Sequence, residues 1–473
     1  MRSVDDSLGM AGLTTSSFSY ELVPLVSSFT PEKRKAQLPC YMMEPHVRNP
    51  NFCGRTSIMH EIESVLLPRD SEVDEQRMEN SLRQFVICGL GGVGKTEIAV
   101  EFAFAHQDKF DAIFFIVADK GAKLDAAFSQ ISMTMSLEEV GQPKNHVVSR
   151  ELVKGWLSNP LKSVAGEDDV EKPQDLARWL MIFDNVEDVD ILFDYWPIGG
   201  IGSLLITSRD PLSKTVHSIG SRSVDLDPLD AHEATDLLQR LTRIDGEPAE
   251  AKEICDLLGG LPLAISQMAQ IIRYQYLNYS TFLERYNDDS QKRELHQTNI
   301  KRRAIYGHTL ASVWAFESLN PESRSLLEVM AFFDPDCIPQ RLLLKVSENL
   351  ASPEYPDRPT AFYDARAKLL HGSNIKVNTD AGDLSVHRLI QDSIRFQMSD
   401  ERRIQALTTA TSLLVACWPP LDITNKHKTD RWKECQALFP HVLSISKAYA
   451  KFFHADLVKP DLQLATLLND AGW

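Results

Sequence analysis

The chain has 473 residues, 43% apolar and 25% charged, the balance of an ordinary globular protein long enough for about three domains. Its 66 acidic and 50 basic residues give a net charge of -16, which disfavours a general nucleic-acid binder because phosphate contacts need a basic surface. No run of 18 apolar residues occurs and Met1–Met10 carries no apolar core, so neither a membrane-spanning helix nor a secretory leader is expected. The 7 cysteines are odd in number and widely spaced, without a C-x-x-C pair. That pattern points to reduced thiols in a cytoplasmic protein rather than to disulfides or zinc.

Residues 1–45 are poorly patterned, with Ser and Thr clustered at Thr14–Ser19, a basic patch at Lys33–Lys35 and one apolar stretch at Leu22–Phe29. They read as an N-terminal tail. From Gln84 short apolar runs recur at 85–88, 113–117, 180–183 and 204–207, separated by helical stretches such as Glu97–His106 and Lys123–Met135. Continuous apolar strands alternating with helices predict an α/β unit over 46–227, a parallel sheet with helices on both faces. The acidic segment 165–175 reads as a surface loop. Past Pro228 the apolar positions switch to helical spacing over 230–241, 250–258 and 263–274, which predicts a helical domain over 228–300. Residues 291–303 are basic and polar and read as a linker or an exposed helix end.

A third unit is expected over 301–400. Asn320-Pro321 supplies an N-cap and a first-turn proline ahead of a helix carrying Leu326, Leu327, Met330 and Phe333. A second helix covers 361–370, a hairpin is signalled by 375–377 and 384–386 around Thr379–Gly382, and a last helix covers 389–398. Helices followed by a hairpin predict a winged-helix domain. Residues 401–473 read as an all-α segment.

The chemistry-bearing motif is Gly89-Leu90-Gly91-Gly92-Val93-Gly94-Lys95-Thr96, directly after the strand 85–88 and directly before a helix. It fits G-x-x-x-x-G-K-[ST], the phosphate loop of the α/β P-loop NTPase fold. Glycines let successive backbone N–H groups face a concavity, and the helix N-terminus adds positive potential. Lys95 is then a cation for the β- and γ-phosphates, and Thr96 offers a hydroxyl to Mg²⁺. The candidate nucleotide contacts are Gly89, Gly91, Gly92, Val93, Gly94, Lys95, Thr96 and Glu97, and the expected cofactors are ADP or ATP with Mg²⁺. A second metal contact comes from Asp184, an acid at the carboxyl end of the buried strand in Trp179–Asn185, reaching Mg²⁺ through water. Beyond the next strand, Arg209 of Thr207-Ser208-Arg209 is placed to sense a γ-phosphate. Asp184 and Arg209 are therefore the candidate catalytic residues, and Thr96 and Asp184 the metal ligands.

Phe52-Cys53-Gly54-Arg55, the phosphate loop, Phe183-Asp184-Asn185, Thr207-Ser208-Arg209 and Gly260-Leu261-Pro262-Leu263-Ala264 occur in that order. Together they resemble the NB-ARC module of STAND-class signalling P-loop NTPases, found in plant resistance proteins, the apoptotic protease-activating factor and fungal NOD-like receptors. The resemblance spans about residues 46–400. Val386-His387-Arg388-Leu389-Ile390-Gln391 is similar to the fungal form of the winged-helix motif. Phe439–Val442 and Leu467–Trp473 resemble the region that leads into tetratricopeptide repeats.

The resemblance implies roles. Backbone near Cys53 and the Arg55 side chain would contact adenine, Pro262 would pack against the base, and His387 would touch the β-phosphate of ADP. Read alone, Pro262 is a first-turn helix proline. His387 alone is either a structural residue or a donor where a strand meets a helix start. The chain also departs from the family pattern. Arg388 stands where the plant motif has Asp, and Thr56 and Ser57 stand where relatives often have an acid. Asn185 stands where many relatives place a second acid. An amide cannot take up a proton, so hydrolysis should be slow or absent, with Glu187 as a substitute base.

The function implied is an ADP/ATP-binding signalling switch. ADP would hold three modules closed, ATP would trade the His387 contact for Arg209, and open forms would self-associate and engage an effector protein. Two other classes compete. One is a turnover ATPase. The other is a transcription regulator placing its winged helix on DNA, for which the sequence feature is the basic stretch Lys292–Arg303.

Overall fold

Strict alternation of side chains along four apolar strands decides the layering of the first unit. The computed structural model describes residues 36–68, 82–138, 145–162, 176–197, 202–215, 222–297, 314, 316–345, 350–352, 354–378, 382–419, 429–454 and 462–471. Expectations for Thr14–Ser19, Leu22–Phe29, Lys33–Lys35, 165–175, Lys301–Arg303 and Thr379–Ala381 lie outside these residues. The strands are β1 (Cys40–Met42), β2 (Arg83–Cys88), β3 (Ala112–Val117), β4 (Trp179–Val186), β5 (Ser203–Ser208) and β6 (Arg222–Asp225). They form one parallel sheet in the order β1-β3-β4-β5-β2-β6. Phe85, Ile87, Ile113, Phe115, Leu180, Ile182 and Leu205 pack on one face with α1 (Thr56–Leu66) and α2 (Lys95–Ala105). Val86, Phe114, Ile116, Met181, Phe183, Leu204 and Ile206 pack on the other with α3 (Gly121–Thr134) and α4 (His146–Ser158). Burial on both faces is why these strands read as unbroken apolar runs.

Two strands carry no such signature. β1 lies inside the segment 1–45 read as a tail, so the sheet begins before residue 46. It pairs Cys40 with Ala112 and Met42 with Phe114 as a three-residue edge strand, too short to show a period. β6 is Arg-Ser-Val-Asp at the opposite edge, largely exposed. Polar, short edge strands are the rule where unpaired backbone would otherwise template association.

The helical domain comprises α5 (Ala231–Thr242), α6 (Pro248–Leu257), α7 (Pro262–Tyr274), α8 (Tyr279–Asn287) and α9 (Asp289–Gln297). Asp230 caps α5 by accepting the N–H groups of His232 and Glu233. The third unit holds α10 (Pro321–Met330), α11 (Gln340–Leu343), α12 (Pro359–His371), the antiparallel pair β7 (Lys376–Val377) and β8 (Leu384–Ser385), and α13 (Arg388–Gln397). Helices followed by a hairpin are thus present in the expected order. Asn320 precedes α10 without a side-chain capping bond; its amide donates to Glu322 instead at 2.7 Å. The last segment is helical, with α14 (Asp400–Cys417), α15 (Thr429–His454) and α16 (Leu462–Ala471). No helix among the described residues is long and apolar enough to cross a membrane.

The reading of 291–303 as a linker or exposed end is corrected for its first half. Residues up to 297 form α9, with Leu295 and His296 buried. Its polar residues satisfy one another across the domain boundary. Lys292 Nζ lies 2.7 Å from Asp392 of α13, whose other oxygen accepts from Arg395 at 2.6 Å. Tyr286 and His296 share a hydrogen bond of 2.9 Å, and the His296 ring meets Phe396 edge-on at 5.3 Å. Burial alone would raise the Asp392 carboxyl; Arg395 and Lys292 outweigh it and hold its pKa down at about 2.

Asp392→Ala leaves two partly buried cations without their acid and is expected to destabilise the protein by about 1–3 kcal/mol, measured by urea unfolding at pH 7. Because the folded pKa lies below the ordinary carboxylate value, this contribution is complete above pH ~4 and is lost as pH falls towards 2. The stability difference between wild type and variant should shrink in that window.

Candidate functional site

β2 lies between β5 and β6, so its carboxyl end, where α2 begins, opens one strand in from the side of the sheet. The turn between them needs its glycines. Gly89 and Gly92 have φ of 150° and 83°, and Gly94 caps α2 at 102°. A Cβ at Gly89 would fall 2.7 Å from the Leu226 carbonyl oxygen, so a side chain there is excluded by backbone. Gly91 and Val93 are buried in the same loop.

Lys95 folds back over this turn. Its Nζ donates to the carbonyls of Gly89 at 2.7 Å and Leu90 at 3.1 Å, and the residue is 8% exposed. Burial first, and the neighbouring Arg209 guanidinium second, press the ammonium pKa down to about 7; Asp184 opposes them. Burial likewise lowers Arg209, and Glu187 pulls it back up. Two cations are therefore held near one another, an arrangement complementary to an anion.

Asp184 ends the buried part of β4, and its Oδ1 accepts from the hydroxyls of Thr96 at 2.9 Å and Thr207 at 2.6 Å. The Thr207 hydroxyl in turn accepts the Asn185 N–H at 2.9 Å, where Asn185 takes a left-handed φ of 58°. One carboxylate thus ties α2, β4 and β5 together. Glu97, in the first turn of α2, accepts from Asn49 at 2.8 Å, and burial raises its pKa. The His46 ring lies on Phe115 with centroids 4.1 Å apart.

Arg55 does not stand open towards solvent. Its guanidinium donates to the carbonyls of Val93 at 3.2 Å and Asp227 at 2.7 Å, so it links the phosphate loop to the start of the helical domain. Cys53 is half-buried against the same core. Pro262 occupies the first turn of α7, and the next N–H, of Leu263, donates to the Gly92 carbonyl at 3.2 Å. The Gly-Leu-Pro-Leu-Ala motif therefore grips the phosphate loop directly. His387 caps α13, its Nδ1 accepting the Leu389 N–H at 3.3 Å, while Nε2 faces the Gly259 carbonyl at 3.1 Å. Those partners place the proton on Nε2, and burial lowers the ring pKa. His387 is thus brought to the turn preceding α7. It lines a cavity of about 520 Å³ with Ala234, Asp256, Gly259, Asp336 and Arg388, none of them from the phosphate loop.

Comparison with known proteins agrees with this geometry. A curated "Nucleotide-binding leucine-rich repeat (NLR)-like protein" of Hyaloscypha variabilis is 27% identical over 345 residues, covering 67% of this chain and 32% of that protein. The chain is thus similar to an NLR-like protein over two thirds of its length, and its parallel sheet with a glycine loop before a helix is the P-loop NTPase fold. The "Regulatory protein AfsR" of Streptomyces griseus is 26% identical over 235 residues, covering 49% of this chain and 21% of that protein. The chain therefore spans about a third or less of the length of these curated relatives. Residues 314–403 match a family described as a domain of unknown function (DUF7779). Among solved structures, a STAND protein with a tetratricopeptide repeat sensor from Pyrococcus horikoshii is 17% identical, covering 86% of this chain and 58% of that chain, with a TM-score of 0.27.

Sequence motifs of the NB-ARC class missed several residues that build the site. Thr207 and His46 become visible only once β3, β4 and β5 are adjacent. Three contacts from the third unit also had no signal. The Ser373 hydroxyl donates to the Arg209 carbonyl, Lys376 pairs with Asp227, and His371 lies 3.9 Å from Asp210. Each joins residues far apart in the chain.

Gly259 has φ of 58°, and a Cβ there would fall 2.6 Å from His387 Nε2. Gly259→Ala should cost about 1–3 kcal/mol and push His387 off the turn. Hydrogen exchange should then rise in α13 while β2 and β4 keep their protection; unchanged exchange in α13 would show that His387 does not hold that helix in place.

Proposed function

We propose that this chain is an adenine-nucleotide-binding switch in which the phosphate charge decides how the three units are arranged. The observation that carries the reading is the buried Lys95 and the half-buried Arg209 near one another, beside a glycine turn and the Thr96–Asp184 hydroxyl–carboxylate pair. These residues fit a di- or triphosphate with Mg²⁺. Thr96 and Asp184 would hold the metal, which neutralises charge on the β- and γ-oxygens when bound. Lys95 would exchange the carbonyls of Gly89 and Leu90 for phosphate oxygens and recover its full charge. Gly89, Gly91, Gly92, Val93 and Gly94 would present backbone to the phosphates, and Glu97 would close the run at the helix start. Cys53, Arg55 and Pro262 would line the base, Arg55 by ordering its turn rather than as a loose side chain.

The closed arrangement is held by contacts that radiate from this site. His387 rests on the turn before α7, and Ser373 rests on the carbonyl of Arg209 itself. A shift of Arg209 towards a γ-phosphate would therefore be felt by the third unit through Ser373. Release of these contacts would open the chain for self-association and for an effector protein, in the cytoplasm. Asn185 cannot act as a base, so turnover is slow and the nucleotide acts as a state marker. A DNA-binding role would draw on the basic stretch at 292–303; Lys292 is already committed to Asp392.

Protein purified under native conditions should carry ADP near equimolar ratio, identified by mass after denaturation, and Lys95→Ala should lose it. Steady-state hydrolysis should be slow and rise about tenfold or more in Asn185→Asp, since a positioned base contributes roughly 10²–10⁴. Rapid wild-type turnover, unchanged by that substitution, would make the chain a turnover ATPase instead.

The lowered Lys95 pKa adds a pH signature. Above pH 7 the free lysine is increasingly neutral, and the complex requires it charged. Binding should take up a proton near pH 8, read by calorimetry in buffers of different ionisation enthalpy, and ADP affinity should fall as pH rises towards 9.

A further inference from the structure

Glu233 belongs to the first turn of α5, in the helical domain, yet its side chain serves another element. Asp230 already satisfies the N-terminus of α5, so the Glu233 carboxylate is available to reach outwards. Its Oε1 accepts the backbone N–H of Arg55 at 2.7 Å, across 178 residues of chain. Room for that approach exists because residue 54 is glycine: a Cβ there would stand 2.6 Å from the same oxygen.

The turn it holds is an uncommon one. Gly54 and Arg55 are consecutive residues at positive φ, 69° and 60°, a conformation that disfavours a side chain such as arginine. It persists because Arg55 is held at both ends, its N–H by Glu233 and its guanidinium by the Val93 and Asp227 carbonyls. The guanidinium contacts leave the backbone of 53–55 able to rotate; the Glu233 contact removes that freedom.

We propose that Glu233 is a positioning residue for base recognition: it fixes the Cys53–Arg55 turn from the helical domain, so the turn reads a purine only while α5 is docked. This inference rests on the proposed reading in which Cys53, Arg55 and Pro262 line the base. Because Pro262 also belongs to the helical domain, both sides of the base site depend on that domain. The phosphate loop, built on β2 and α2, does not use the Glu233 contact. Binding energy from the base is thereby made conditional on the docking of α5.

The test compares ADP with inorganic tripolyphosphate, a probe of the phosphate loop alone, on the full chain stripped of nucleotide. Glu233→Ala should weaken ADP about tenfold or more while tripolyphosphate stays within about twofold. Glu233→Gln, whose amide oxygen still accepts the Arg55 N–H, should keep ADP affinity within about threefold. Gly54→Ala, which displaces the carboxylate sterically, should repeat the alanine result. Melting temperatures without ligand separate this from general loosening. Equal ADP affinity in wild type and Glu233→Ala, or equal loss of both probes, overturns the positioning role and leaves the nucleotide reading standing. A stripped wild type that binds tripolyphosphate but not ADP removes the base site and the proposal with it.

Discussion

A lysine ammonium that is nearly out of water, near a second, half-buried cation, is the constraint on which the rest of the structure depends. Lys95 stabilises its charge through the carbonyls of Gly89 and Leu90, and Arg209 works against it. A desolvated cation next to a like charge is unfavourable unless an opposite charge joins it. The surrounding scaffold holds that imbalance. The glycine turn cannot relax outward because Gly89 abuts the Leu226 carbonyl and Gly92 abuts Leu263, and Asp184 is kept on Thr96 and Thr207. The site is strained in charge rather than in shape.

Strand order converts that local imbalance into a long-range one. With β2 next to β5 and β5 next to β4, the carboxyl ends of three strands deliver the glycine turn, Arg209 and Asp184 to one edge of the sheet. Loops at that edge are where the other units attach. Arg55 and Leu263 bring the helical domain to Val93 and Gly92. Ser373 brings the third unit to Arg209. Every unit therefore touches the loop or its immediate neighbours by a polar bond, and a change of charge there is transmitted without an extended relay.

What was legible in the sequence follows the range of the interactions involved. The four central strands and the phosphate loop are encoded locally, by apolar runs and by glycines at fixed offsets, and they occur where the pattern predicts. Pro262 was readable for the same reason, since a first-turn proline is a local device. β1 and β6 were not readable because edge strands are short and need no apolar face. α9 was misread because its basic residues signal solvent until Asp392, 100 residues away, is brought to Lys292. Glu233 is the sharpest case. Nothing near it in sequence distinguishes it from an ordinary first-turn acid, and its partner is the backbone of residue 55, which carries no sequence identity at all.

The interfaces around the site are unequal, and the inequality has a direction. Between the helical domain and the third unit, Asp392 is partly buried with Lys292 and Arg395, and Tyr286, His296 and Phe396 pack behind them. Removing one partner there leaves a partly desolvated charge unpaired, so this contact is the stronger of the two. Between the sheet unit and the third unit, Lys376 with Asp227 is an exposed pair and an exposed His371 lies at 3.9 Å from Asp210, each worth under about 1 kcal/mol. Ser373 on the Arg209 carbonyl is the contact there that reaches the site. A disturbance starting at Arg209 meets the weaker interface first. Under the proposed switch, α9 and α13 would move together on energetic grounds, and the surface that parts would be the one closest to the phosphate charge.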